Sequence, residues 1–201
     1  MDESVLQSWK GIMLLVLSSG LIAALTSSGM QWVKEYRAKA ADRKMEASLE
    51  AIFLVRELDT LAVRCANSIW EHYEIFNQIV DTPEAGSYPG AVRPEFDIGK
   101  QSVSKIDKGV AAQIVWLETE IQMGEELIRS AWFHDALDYY QAHDQRANLV
   151  GYFGHKALEA AAELRKIYQL KSNQYQWGMT GVSDLLKKSA GAAEKYLAKE
   201  G

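Results

Sequence analysis

Four histidines are the side chains of this chain best suited to acid–base or metal chemistry, and two of them directly precede an aspartate. The two dipeptides are His134–Asp135 and His143–Asp144. A metal-dependent hydrolase could combine such a dipeptide with a separate histidine and a later aspartate, for which His72 and Asp184 are available. Because adjacent His and Asp arise easily by chance, the pattern supports a hydrolase only as an alternative hypothesis.

Two histidines are also followed by a carboxylate four residues later, which is the spacing of neighbours on one helical face. These pairs are His134 with Asp138 and His155 with Glu159. One such pair supplies too few ligands for a metal, and neither Glu-x-x-His nor His-Glu-x-x-His occurs. The sequence therefore predicts no metal site and no cofactor.

A catalytic nucleophile is not identified. Cys65 is the single cysteine, and it lies on an apolar helical face, where a thiol usually behaves as a small buried hydrophobe. No Gly-x-Ser-x-Gly, phosphate-binding or dinucleotide-binding motif is present. Catalytic residues stay unknown, and a protein that is not an enzyme is favoured.

An aromatic cluster brackets the predicted junction of two helices, with acidic residues near it in sequence. Its members are Trp132, Phe133, Tyr139, Tyr140, Tyr152 and Phe153. Aromatic side chains fill cores, but they also concentrate at protein–protein interfaces. The cluster is therefore either core or a docking surface for a partner.

The strongest signal about location is an uncharged stretch of twenty residues from Gly11 to Met30. As a helix it would be about 30 Å long, the thickness of the hydrocarbon core of a bilayer. Trp9 precedes it and Trp32 and Tyr36 follow it, as expected of rings at the headgroup levels. We predict a transmembrane helix over residues 11–33. A cleaved signal peptide and a buried core helix are the two alternatives.

Basic residues flank this stretch unevenly. Five follow it closely, at Lys34, Arg37, Lys39, Arg43 and Lys44, whereas Lys10 alone precedes it. Basic flanks stay on the cytoplasmic side. The sequence thus predicts a single-pass protein of the cell (inner or plasma) membrane, with residues 1–10 outside and residues 34–201 in the cytoplasm.

Small residues recur every four positions within the predicted span. They form two adjacent rows, Ser19, Ala23 and Ser27 beside Gly20, Ala24 and Ser28. Small side chains let two membrane helices approach closely. We therefore expect partners in the bilayer itself: a second copy of the chain or another membrane protein.

The remainder of the chain has apolar residues at steps of three or four, which is typical of helices, and no strand pattern. Helices are expected over 31–81, 104–141, 144–172 and 183–199, with Ser104 and Ser183 as N-caps. All three prolines fall within residues 81–102, which predicts a loop that is functional or mobile. The predicted fold is all-α: a membrane helix followed by an antiparallel bundle of about four helices, the first of them long enough to continue from the span.

Charge excludes one class of partner. Residues 45–201 contain 16 Lys and Arg against 23 Asp and Glu, a net charge of 16 − 23 = −7. Such a domain repels phosphate backbones, so nucleic acid is not expected as a partner. The sequence favours an anchor, assembly subunit or regulator that binds other proteins. The alternatives are the tethered hydrolase and a defence effector that disrupts membranes after its span oligomerises.

Overall fold

The computed structural model describes the backbone of residues 3–81, 90–96, 103–134, 137–171 and 178–200. Side chains are described within these ranges from residue 30 onward, except residues 77–81, Tyr139 and Glu200. Four helices occupy most of them: α1 (Glu3–Asp81), α2 (Lys108–Phe133), α3 (Tyr139–Tyr168) and α4 (Met179–Glu200). No strand occurs in these ranges, so the all-α prediction is confirmed.

The chain divides into two compact units, Met1–Glu46 and Ala47–Gly201. In the first unit, the side chains of residues 30–46 are all exposed. Within the side chains that the structure describes, no helix is long and apolar enough to cross a membrane. The predicted span 11–33 lies within α1, but only its residues 30–33 have described side chains. All six small residues of its two rows lie outside the described side chains.

The second unit has one hydrophobic core to which all four helices contribute. Its largest fully buried side chains include Leu58, Ile69, Ile114, Phe153 and Leu186. The third helix lies at the centre. Gly154 lies where an added Cβ would be 2.8 Å from Cys65 Cβ on α1 and 2.9 Å from Leu186 Cδ2 on α4. A glycine at this position lets three helices meet closely.

Pairs of contacting residues give the helix directions. Along α1, Asp59, Cys65 and His72 contact Arg165, Gly154 and Asp144 of α3 in turn, so these two helices are antiparallel. Between α2 and α3, Glu120 contacts Tyr152 and Gly124 contacts Leu149, so these helices are antiparallel too. Between α3 and α4, Gly154 contacts Leu186 and Gly151 contacts Ser189, which makes this pair antiparallel as well. It follows that α1 and α2 run in the same direction. The predicted antiparallel order therefore holds for α3 and its neighbours, but not between α1 and α2.

A parallel pair requires a connection that returns along the length of the bundle, and the Pro/Gly segment provides it. Residues 90–96, here called the strap, belong to no helix or strand. The Ser68 hydroxyl of α1 donates to the Val92 carbonyl (2.7 Å) and accepts from the Val92 N–H (3.1 Å). Arg64 donates to the Glu95 carbonyl (2.9 Å). The strap thus passes down α1, opposite to its direction.

The strap is also bound to α2 and α3. Arg93 donates to Glu118 (2.8 Å) and lies 3.1 Å from Glu125, one heptad further along α2. Its guanidinium lies 5.9 Å from the centre of the Phe153 ring, and Phe96 packs edge-on to the same ring. The part of the predicted loop 81–102 that is described is therefore packed against three helices. Residues 82–89 and 97–102 lie outside the described ranges.

Several helix boundaries differ from the prediction, and two of them are set by aspartate N-caps. Asp107, rather than Ser104, caps α2 and accepts from the N–H groups of Gly109 (2.9 Å) and Val110 (3.3 Å). Asp138 starts α3 through a capping box with Gln141, so the helix predicted to reach 141 ends at Phe133 and the next begins five residues before 144. The last helix begins at Met179 rather than Ser183, after Gly178 with a φ of 80°.

Candidate interaction surface

The predicted aromatic cluster divides into an exposed part and a buried part. Trp132, Phe133 and Tyr140 are 54%, 82% and 52% exposed. Phe153 is fully buried, and Tyr152 is half-buried with its hydroxyl 3.3 Å from Glu120. The side chain of Tyr139 lies outside the described residues. The core interpretation is therefore confirmed for Phe153, whereas a docking surface stays a prediction for the exposed members.

The exposed members lie at one end of the second unit, where α1 also contributes a ring. Phe76 of α1 packs edge-on to Tyr140, with ring centres 5.5 Å apart. Trp132 and Phe133 end α2 close to the start of α3. We call Phe76, Trp132, Phe133 and Tyr140 the aromatic corner. Large exposed aromatic side chains are a feature of binding surfaces.

Two histidines lie beneath the aromatic corner. His72 is fully buried and contacts Phe76, with ring centres 5.5 Å apart. Its Nε2 is 3.9 Å from Asp144 Oδ1, and its ring is 6.5 Å from that of His143. The structure therefore brings His72 together with the second His-Asp dipeptide, as the hydrolase hypothesis requires of those three residues.

Burial sets the protonation of this group. It lowers the pKa of His72, an effect that the Asp144 carboxylate opposes and His143 reinforces. Burial also lowers the pKa of His143, and the nearby Arg146 guanidinium adds to that effect. Both imidazoles are therefore neutral at pH 7. The strap reaches this place too, since Gly90, with a φ of 79°, leaves no room for a Cβ beside the His143 ring.

Asp184, the later aspartate of the hydrolase hypothesis, is not brought to the same place. Asp184 lines a cleft of about 360 Å³ with Leu158 and Ala162. On α3, Leu158 is 14 residues beyond Asp144, a distance of about 20 Å. Within the described residues, no three His, Cys, Asp or Glu side chains are grouped so that they could hold a metal ion.

The two predicted His–carboxylate pairs have different outcomes. His155 and Glu159 share a face of α3, with Nε2 and Oε1 3.5 Å apart. His134 and Asp138 do not share one, because His134 ends α2 and Asp138 caps α3. The prediction of a common helical face for that pair was therefore wrong.

The interpretation of Cys65 as a buried hydrophobe is confirmed. Its side chain is fully buried, and burial raises the pKa of the thiol to about 12. The reactive thiolate form is therefore negligible at neutral pH.

The acidic residues near the aromatic cluster mostly bind within the molecule. Glu118 and Glu125 bind Arg93 of the strap, and Glu120 lies against the Tyr152 hydroxyl. Glu126 pairs with Arg129. Asp135 lies outside the described residues. Most of these carboxylates are therefore already paired within the molecule.

One exposed apolar surface was missed from the sequence. Val115, Trp116 and Met123 of α2 point away from the core, and the last two are 61% and 69% exposed. They lie on the side of α2 opposite Val110, Ile114, Leu117 and Ile121. The sequence does contain this second apolar stripe, at steps of one and seven residues, but a prediction of one buried face per helix does not account for it.

Comparison with known proteins gives no match: no family model fits the chain, and no curated protein or solved structure is significantly similar to it.

Proposed function

We propose that this is a single-pass membrane protein whose helical domain acts by binding another protein at the aromatic corner. The observation that carries the proposal is the exposure of Trp132, Phe133 and Tyr140 together at the α2–α3 junction. Large apolar groups that stay exposed in one region of a surface commonly mark a site of interaction. Their rigid rings offer a partner a large contact area at little entropic cost.

The proposed anchor is the uncharged stretch of residues 11–33, and the orientation follows from the five basic residues after it. Trp32 and Tyr36 stack with ring centres 5.9 Å apart and are exposed, which suits the headgroup level of a membrane. The domain that carries the aromatic corner is then cytoplasmic. Self-association or docking to a second membrane helix would use the rows that contain Gly20 and Ala24.

A crosslinking experiment tests the proposed role. A photo-crosslinking amino acid replaces Phe133 in the full-length protein in native membranes, and a matched variant carries it at the exposed Lys187 of α4. We expect a discrete adduct from position 133 and none from position 187. Identical adduct patterns, or no adduct at either position, would contradict a docking role for the corner.

Membrane insertion has a separate test. We expect the full-length protein to stay in the membrane fraction after extraction at alkaline pH. A cysteine placed at Glu3 should react with an impermeant reagent in intact cells. Cys65 should add no background labelling, because it is buried. Protein recovered in the soluble fraction, or labelling only after permeabilisation, would overturn the anchor or its orientation.

A further inference from the structure

A groove with a volume of about 560 Å³ lies between α2 and α3. Gln113 and Glu120 line it on α2, and Trp116 and Met123 lie on the same helical face, because these four residues follow one another at steps of three and four. The lining residues of α3 have the same spacing: Tyr152, Lys156, Glu159 and Glu163. Two facing stripes of side chains therefore border the groove.

The groove has an apolar floor and an apolar edge. Ile114, Leu117 and Ala160 form the floor, while Trp116 and Met123 on the α2 edge are more than half exposed. Tryptophan is among the residue types that contribute most to binding at interfaces. The α2 stripe from residue 113 to residue 123 is about 15 Å long, nearly three turns of a helix. This shape fits a helix of a partner whose apolar side chains recur at steps of three and four.

The charges that line the groove do not balance. Glu120, Glu159 and Glu163 are its carboxylates, and Lys156 is the one cation among the described residues that line it. That cation is already paired, since Lys156 Nζ lies 2.9 Å from Glu159 and 3.8 Å from Glu194. Two of the three carboxylates therefore have no cation of their own.

The surroundings of these two carboxylates leave their charge uncompensated. Glu120 faces the Tyr152 hydroxyl at 3.3 Å. Burial and the Glu120 carboxylate both raise the pKa of that hydroxyl, so it stays neutral. Glu163 is exposed and forms no ion pair within the described part of the chain. On a domain that is itself acidic, such a groove attracts a basic partner and repels an acidic one.

We propose that this groove binds a basic amphipathic helix of a partner protein, with its apolar side chains between the two stripes and its Lys or Arg residues on Glu120 and Glu163. The inference goes beyond the proposed function, because it assigns a second docking surface. Met123, at the nearer end of the groove, lies nine residues before Trp132 of the aromatic corner, about 14 Å along α2.

A second copy of the chain is a poor occupant of the groove. Its exposed basic segment, residues 34–44, has the required charge. Between Arg37 and Lys44, however, its only apolar side chains are those of alanines. Such a segment offers little apolar surface to the floor or to Trp116. A separate partner with larger apolar residues fits both features of the groove.

Peptide binding to the full-length protein in phosphatidylcholine nanodiscs tests the inference. The labelled probe is a helix of about fifteen residues, enough to span the groove, with Leu at steps of three and four and Lys on its other faces. Matched peptides replace every Lys by Glu or every Leu by Ala, and a further peptide has the sequence of residues 32–46. After subtraction of the signal from empty nanodiscs, fluorescence anisotropy should show the probe binding at least about tenfold more tightly than each of the other three.

Protein variants localise the site. Trp116→Ala and Glu163→Lys should each weaken binding of the probe about tenfold, and Glu163→Lys should also reduce its dependence on salt. Trp70→Ala and Glu74→Lys are the matched controls, since they make the same changes at exposed positions of α1 and should leave binding unchanged. Thermal melting of each variant checks that the domain is folded.

Several results would overturn the inference. They are no binding of the probe, equal binding of the Lys and Glu peptides or of the Leu and Ala peptides, and losses in the groove variants no larger than those in the controls. A signal that empty nanodiscs reproduce in full would assign the probe to lipid, and equally tight binding of the peptide of residues 32–46 would assign the groove to a second copy.

The outcome is separable from that of the proposed function. A partner crosslinked at position 133, together with no binding of the probe, would leave the aromatic corner as a docking site and remove the groove. Binding of the probe that depends on Trp116 and Glu163, together with no adduct at position 133, would support the groove and remove the corner.

Discussion

The individual side chains of the second unit show how burial changes chemistry. His72 and Cys65 both lie in the core, and in both cases desolvation disfavours the charged form. The imidazole is therefore kept neutral and the thiol is kept protonated. Asp59 has its pKa raised by burial as well, although its ion pair with Arg165 of α3 opposes this. Charged groups in this domain are thus tolerated where a partner on another helix faces them.

The histidines should make the stability of the domain depend on pH. His72 and His143 have pKa values below the ordinary 6.5 in the folded protein, so the unfolded chain binds more protons as pH falls. We expect the free energy of unfolding to be highest above pH 6.5 and to decrease as pH drops toward the folded pKa values. Urea unfolding at intervals from pH 7.5 to 5.0 measures this. His72→Gln should flatten the profile, whereas His134→Gln should not; a profile that is flat in the parent protein would contradict the assignment.

The Asp59–Arg165 pair provides a second prediction for single residues. Arg165→Met should destabilise the domain by about 3 kcal/mol, because it leaves a mostly buried carboxylate without its cation. Arg56→Met removes the exposed pair with Glu57 and should change stability by less than about 1 kcal/mol. Chemical denaturation of Arg165→Met, of Arg56→Met and of the double variant Asp59→Leu/Arg165→Met measures the free energy of unfolding of each. Equal losses for Arg165→Met and Arg56→Met would show that the Asp59 pair is effectively solvated.

The helices are positioned by small residues and by the strap. Alanines and glycines of α3 allow it to contact α1, α2 and α4 at once, and Arg93 joins the strap to two carboxylates one heptad apart on α2. The same strap reaches His143 through Gly90. The strap therefore packs against a residue that lies beneath the aromatic corner. In this way a connecting segment helps to shape the candidate site.

Substitution of α3 glycines tests this packing. Gly154→Ala should destabilise the domain by about 1–3 kcal/mol, since its Cβ would lie 2.8 Å from Cys65 Cβ and 2.9 Å from Leu186 Cδ2. Gly191→Ala on α4 meets nothing within 4 Å and should stabilise by about 0.5–1 kcal/mol through helix propensity. Thermal and urea unfolding measure both. A stabilising Gly154→Ala would mean that α1 and α4 separate more easily than their contacts indicate.

At the scale of the whole molecule, the chain combines two units of different character. Residues 30–46 expose every side chain, including five basic residues, whereas residues 47–201 enclose a core and carry a net negative charge. A region with its own core can fold independently. The acidic domain and the basic segment after the proposed span would then serve separate contacts.

A fragment of residues 47–201 should accordingly fold without the first unit. We expect it to be helical by circular dichroism, to need no detergent, and to unfold in one cooperative transition. Its urea midpoint should match that of the same domain in the full-length protein. Aggregation of the fragment, or a broad non-cooperative transition, would show that residues 1–46 contribute to the core.

The sequence determined the helical character of the protein, its division by the proline segment and the burial of Cys65, because these depend on local periodicity and on apolar content. It did not determine the directions of α1 and α2, which depend on where a long connection returns. Nor did it distinguish Phe153 in the core from Phe133 at the surface, since both occupy helices with mixed faces. The tertiary structure decided which rings are covered, because coverage depends on side chains distant in sequence: Arg93 and Phe96 of the strap lie over Phe153, while nothing in the described part of the chain covers most of Phe133.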